Sequence, residues 1–174
     1  MKRALVLVLL FVIGLTGSAR AADQIIFVVR HAERAAEVPV PSTPPSHSML
    51  ANDPPLSTAG HARAVRLAAM LASADIRHVF TTEYLRTRQT AVPLAEKTKL
   101  KPVMSASKDP EPLVAAVRKA TGNVLIVGHS NTVPDLLKRL GIKDAITIAD
   151  DEYDNLFVVV RRDAGEPTLI RLRY

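Results

Sequence analysis

The chain has 174 residues, of which 48% are hydrophobic and only 4% aromatic, a size for one domain with a core of Val, Leu, Ile and Ala. It has no cysteine, which excludes a disulfide framework, thiol chemistry and a lipid-bearing lipobox. The formal charge is +6, but Lys2, Arg3 and Arg20 lie in a stretch without acids; beyond residue 21, 20 basic and 17 acidic residues leave +3, too little for a nucleic-acid footprint.

The first predicted element is a leader. Lys2 and Arg3 precede an uncharged apolar run over residues 4–15, and the small residues Gly17, Ser18 and Ala19 follow. This is the layout of a secretory signal peptide, and the run is shorter than the roughly 20 residues that span a bilayer. Ala19-Arg20-Ala21 fits the cleavage rule, so residues 1–21 are expected to be removed. Residues 22–174 then form a single exported domain, periplasmic or secreted, with no stable membrane anchor.

Residues 24–30 (QIIFVVR) form a β-branched run with the signature of a strand buried on both faces of a parallel sheet. Residues 35–55 hold six of the twelve prolines, which predicts a long surface loop. From Ser57 or Thr58, either of which can cap a helix, Ala64, Val65, Ala68, Leu71 and Ala72 recur at helical spacing. A short strand is expected over 77–80 and a helix over 83–97, kinked or broken at Pro93. Another short strand is expected over 101–103, and a helix over 110–121 ended by Gly122. Residues 123–127 (NVLIV) are a second buried strand, leading to a helix over 132–140 closed by Gly141. Two further strands, 155–161 and 168–172, flank a turn at Asp163-Ala164-Gly165. Alternating strands and helices make an α/β domain, in which ligands sit at the carboxyl ends of the parallel strands.

At those ends the chemistry collects. The first strand ends in Arg30-His31, the second leads through Thr81-Thr82 to Arg86, and the buried strand at 123–127 leads to His129-Ser130. Two histidines and two arginines beside helix N-termini suit a phosphoryl group, whose oxygens Arg grips in bidentate fashion. A metal held by His31 and His129 is the competing reading; it lacks a third ligand at matched spacing, and the arginines would repel a cation.

Four segments in order resemble one family. Arg30-His31-Ala32-Glu33 is similar to the opening RHG or RHA motif of the histidine phosphatases, and Leu56-Ser57-Thr58-Ala59-Gly60 to their L-T-x-x-G segment. Residues 81–91 (TTEYLRTRQTA) resemble S-S-x-x-x-R-A-x-Q-T-A, and Gly128-His129-Ser130-Asn131 resembles the second-histidine motif. The resemblance implies a three-layer α/β/α sandwich with a mostly parallel central sheet, of the phosphoglycerate mutase-like type. It implies that His31 attacks phosphorus to form a phosphohistidine, and that Arg30, Arg86 and a protonated His129 stabilise the non-bridging oxygens. Neighbouring cations favour the neutral imidazole that attack requires.

For the general acid, Ser130 stands where the acid phosphatase branch has Asp. The mutase-like branch places a Glu between the second Arg and the second His, which points to Glu111, with Asp109 as runner-up; both also suit a helix N-terminus beside Pro110 and Pro112. Glu83 fits helix-dipole stabilisation as well as acid chemistry. His47 lies in the proline-rich loop, where it could touch substrate, while His61 and His78 are expected to face solvent or a helix. The expected activity is hydrolysis of a small phosphomonoester or phosphoramidate outside the cytoplasm, with no metal or organic cofactor and no nucleic-acid partner. A mutase fits the motifs but not the leader, and a phospho-ligand binding module is the other rival. Nothing in the sequence assigns an oligomeric state.

Overall fold

The computed structural model describes residues 23–35 and 53–174; the leader, His47 and most of the proline-rich segment lie outside the described residues. In chain order the elements are β1 (Gln24–Arg30), α1 (Thr58–Met70), β2 (Ile76–Thr82), α2 (Leu85–Thr98), β3 (Val103–Ser105), α3 (Glu111–Lys119), β4 (Asn123–Gly128), α4 (Thr132–Arg139), β5 (Asn155–Arg161) and β6 (Thr168–Arg173). They form one six-stranded sheet in the order β3-β2-β4-β1-β5-β6. β1, β2, β3 and β4 run parallel, and β5 joins antiparallel to both β1 and β6. Among the described residues no helix is long and apolar enough to cross a membrane.

The β-branched runs are continuous because both faces of the central strands are covered. Ile26 and Val28 of β1, with Val124 and Ile126 of β4, meet Leu113, Val114 and Val117 of α3 and Val133, Leu136 and Leu137 of α4. The alternate residues Val29, Leu125 and Val127 turn to the other face, against Leu67 and Ala68 of α1 and Ala91 and Leu94 of α2. The result is the three-layer α/β/α sandwich expected.

Local readings differ in four places. In α1 the buried stripe is Ala64, Leu67 and Ala68, while Val65 faces solvent. α2 runs through Pro93 without a break, because the residues around it (Ala91, Leu94 and Ala95) are buried on the sheet and hold the helix there. β3 lies two residues later than expected, since its pairing of Phe80 with Val103, and not local preference, sets it. β2 extends to Thr82, which carries it to the edge of the cavity described below.

The helix that follows the proline-rich segment is fixed by its entry. Ser57 caps α1 by accepting the Gly60 N–H at 3.1 Å. Ser57 N–H in turn bonds the Glu33 carbonyl at 2.9 Å, and Glu33 takes a bidentate bond from Arg63. Gly60 packs directly on the backbone of Glu33, where a Cβ would run into its carbonyl oxygen. Glycine is therefore required by close approach, and through Glu33 it sets the chain just after His31. Gly60→Ala should lower unfolding stability by about 1–3 kcal/mol in urea titration, against the gain of up to about 1 kcal/mol that Gly→Ala brings in an unconstrained helix.

Candidate active site

Because β1 and β4 are parallel neighbours with Arg30 opposite Gly128, the residues that follow them emerge together. His31 N–H extends the ladder to the Gly128 carbonyl at 2.9 Å. The His31 and His129 rings meet edge to face with centroids 5.3 Å apart. β2 on the other flank of β4 delivers Thr82, and the first turn of α2 delivers Arg86. All four sequence-predicted residues Arg30, His31, Arg86 and His129 line one cavity of about 840 Å³.

Hydrogen-bond accounting assigns the histidine tautomers. His31 Nδ1 lies 2.8 Å from the Ala32 carbonyl, which can only accept, so Nδ1 carries the proton and Nε2 keeps a lone pair. For His129 the relay begins at Thr87, whose hydroxyl donates to the Tyr84 carbonyl at 2.8 Å and so accepts from the Thr82 hydroxyl at 3.0 Å. Thr82 has then spent its proton and accepts from His129 Nε2 at 3.0 Å. The proton of a neutral His129 is therefore on Nε2, and Nδ1 is the remaining ring nitrogen.

The arginines are held by different means. Arg30 Nη1 donates to the carbonyls of Ala149, Asp150 and Glu152 at 2.8, 3.0 and 3.1 Å, and the guanidinium lies over the Tyr153 ring at 4.1 Å. Among the described residues Arg30 Nε is buried and has no partner, an unspent donor. Arg86 lies over the Tyr84 ring at 4.2 Å and bonds Asp53 at 3.2 Å. Charged residues lining the cavity include Arg34, Lys108 and Arg139 besides Arg30 and Arg86, against the acids Asp135 and Asp150. That excess of cations with an orphan donor is a receptor for an oxyanion.

With this geometry in place, comparison with known proteins is informative. Residues 26–107 match the family model of the histidine phosphatase superfamily (branch 1). Over that stretch the chain is similar to the histidine phosphatase superfamily. The matched stretch contains His31 and Arg86; His129 lies beyond it and is brought in by the β1–β4 pairing. No curated protein matches the sequence. Among solved structures, a chain from Agrobacterium tumefaciens proposed to be the phosphohistidine phosphatase SixA shares 22% identity over 86% of this chain and 98% of its own, with a TM-score of 0.64. The protein histidine phosphatase SixA in complex with tungstate shares 18% over 86% and 96%, with a TM-score of 0.63. A mycobacterial glucosyl-3-phosphoglycerate phosphatase in complex with VO3 shares 16% over 89% and 99%, with a TM-score of 0.62. These likenesses are of fold.

Glu111 and Asp109, the carboxylates expected as general acid, do not line the cavity. Glu111 opens α3, is exposed, does not line the cavity and pairs with Arg139. Asp109 is exposed, and its carboxylate accepts the Glu111 N–H at 3.2 Å, as a helix-start residue does. Glu83 is tied to Ser107, accepting the backbone N–H and the hydroxyl at 2.8 Å each. Burial raises Glu83, but those bonds, its own backbone N–H and His129 outweigh it and hold the carboxyl below its usual range. His61 is exposed on α1, and His78 stacks beside Phe80 with Nε2 at 3.2 Å from the Thr121 carbonyl, both away from the cavity. Sequence reasoning missed Asp53, Tyr153 and the carbonyl turn at 149–152; only the motif placement of Tyr84 and Thr82 gave any signal for this surrounding layer.

Electrostatics changes one expectation. Burial pulls His31 down to about 3, helped by His129, Arg86 and Arg30 and opposed by the bond to Ala32, so its nucleophilic form prevails through the physiological range. Burial likewise pulls His129 down to about 4, with Arg86 and Arg30 adding to it and Glu83 and Asp53 opposing. The protein alone therefore holds His129 neutral near pH 7; the protonated form expected from the sequence is the one facing a bound phosphoryl group. An oxyanion between the rings supplies the missing counter-charge, so its binding should draw a proton to Nδ1. Tungstate, a proton-free dianion at pH 7, should bind with uptake of about one proton, read from calorimetry in buffers of different ionisation enthalpy. The uptake should vanish in His129→Gln.

Proposed function

We propose that this protein is a phosphatase that hydrolyses a phosphoramidate or phosphomonoester through a phosphohistidine on His31. The observation that carries the reading is the His31 Nδ1 bond to the Ala32 carbonyl, which leaves the Nε2 lone pair free in a cavity shared with Arg30, Arg86 and His129. In the first step Nε2 attacks phosphorus, the phosphorus–leaving-group bond breaks, and the leaving group departs with the electron pair. In the second, water attacks the phosphohistidine, the P–N bond breaks, and inorganic phosphate forms as the water gives up a proton. Arg30 and Arg86 hold the equatorial oxygens throughout, so positioning and electrostatics supply most of the acceleration.

The leaving group narrows the substrate class. Among the described residues the carboxylates that line the cavity are Asp135, bonded to Arg139 at 2.8 Å, and Asp150. Glu111 and Asp109 are engaged outside it. A substrate whose leaving group needs little proton assistance fits such a site. A phosphoimidazole that carries a proton on its other ring nitrogen expels neutral imidazole, whose conjugate acid lies near pH 6.5, far more readily than a phosphomonoester expels an alkoxide. That supports a phosphoramidate of the phosphohistidine kind, the substrate class in the names of the SixA structures. The leader sequence supports action outside the cytoplasm on a small phosphorylated substrate.

The test is phosphate release in EDTA from a series of imidazole, aryl and alkyl leaving groups. Rates should fall steeply as the leaving group becomes more basic; a flat series would mean that a general acid operates. His31→Ala should lose at least about 10⁴-fold in kcat, and survival of activity in that variant would sink the covalent route. Glu111→Gln should stay within about twofold of wild type on the imidazole substrate, whereas an acid role there would cost about 10²-fold or more.

A further inference from the structure

Helix α2 carries Arg86 in its first turn, yet the residue before the helix, Tyr84, makes no side-chain capping bond. The cap comes from a distant part of the chain. Both oxygens of Asp53 accept the Leu85 N–H, at 3.0 and 2.8 Å, and Oδ1 also accepts from Arg86 Nη1 at 3.2 Å. The Asp53 side chain is 1% exposed and that of Arg86 15%. We propose that Asp53 is a positioning residue for Arg86, fixing the guanidinium so that its remaining donors meet the phosphoryl group. This inference rests on the phosphoryl-site reading above.

The geometry supports it from three sides. The carboxylate holds one edge of the guanidinium and the Tyr84 ring covers one face at 4.2 Å, so the plane cannot turn freely. Asp53 is itself anchored: Ala35 N–H bonds the Pro55 carbonyl at 2.8 Å, Arg34 and Leu56 form an antiparallel bridge, and Leu56 N–H bonds Gln89 Oε1 at 2.7 Å. The same short segment thus ties the chain just beyond His31 to the helix that carries Arg86. A buried carboxylate also offsets part of the crowding of Arg86 by the other cavity cations. Asp53 is among the groups that favour a charged His129, so the link reaches the second histidine as well.

Capping and positioning can be separated. Tungstate affinity is measured by calorimetry, with thermal melts alongside, for wild type, Asp53→Asn, Arg86→Ala and the double variant. Asp53→Asn should weaken binding about tenfold in the wild-type background and less than about twofold when Arg86 is already Ala. Equal losses in both backgrounds would overturn the proposal and leave Asp53 a helix cap only. Leu85→Pro removes the capped N–H at a helix position where proline is tolerated, and leaves the Asp53–Arg86 contact. It should keep tungstate affinity within about threefold; a loss as large as that of Asp53→Asn would overturn the proposal, and this variant decides the matter if Asp53→Asn does not fold. Wild-type protein that fails to bind tungstate would instead overturn the phosphoryl-site reading on which the inference stands.

Discussion

Two imidazoles and two guanidiniums buried around one cavity form the constraint on which the rest of the site depends. Like charges so close, in a medium that screens poorly, cannot all be borne. The histidines give way, pulled by burial first and then by the neighbouring arginines, to about 3 and about 4. Burial thus keeps His31 neutral, and the arginines beside it add to the effect.

The fold meets the remaining electrostatic cost with fixed dipoles and one carboxylate. Arg30 spends one amino group on three carbonyls of the 149–152 turn, and Arg86 leans on Asp53. The threonines of the 81–91 segment serve the histidines. Thr82 accepts the His129 Nε2–H, Thr87 orients Thr82, and Thr90 accepts the Ala32 N–H at 2.9 Å beside His31. The motif is therefore a set of hydrogen-bond partners spaced along β2 and one face of α2. Burying this many polar groups is tolerable because most are paired.

The sheet and the four central residues were legible because strand periodicity is a local signal, and the carboxyl ends of parallel strands converge by topology. What sequence reasoning could not reach depends on direction or distance. Glu111 was chosen by its offset along the chain, but α3 starts there and aims its carboxylate at Arg139 on α4. Asp53 reads as one more polar residue in a proline-rich stretch, since its partners lie 32 and 33 residues away. Arg30's carbonyl cradle lies 119 to 122 residues away in a segment without regular structure. Nor does a motif, which gives residue types alone, carry the burial that lowers the His129 pKa in the unliganded protein.

That low pKa also bears on how the proposed cycle ends. A site of permanent cations tight enough to stabilise a transferring phosphoryl group would hold inorganic phosphate as firmly, and product release would limit turnover. Here the second histidine is held neutral in the unliganded protein, and in the proposed cycle it becomes a cation as the anion binds. As phosphate departs, burial and the two arginines drive the proton off His129, and the attraction it contributed disappears with it. Arg at this position would bind oxyanions more strongly at every stage, without distinguishing the transition state from the product. A buried histidine between two arginines binds strongly only when the charge that needs it is there.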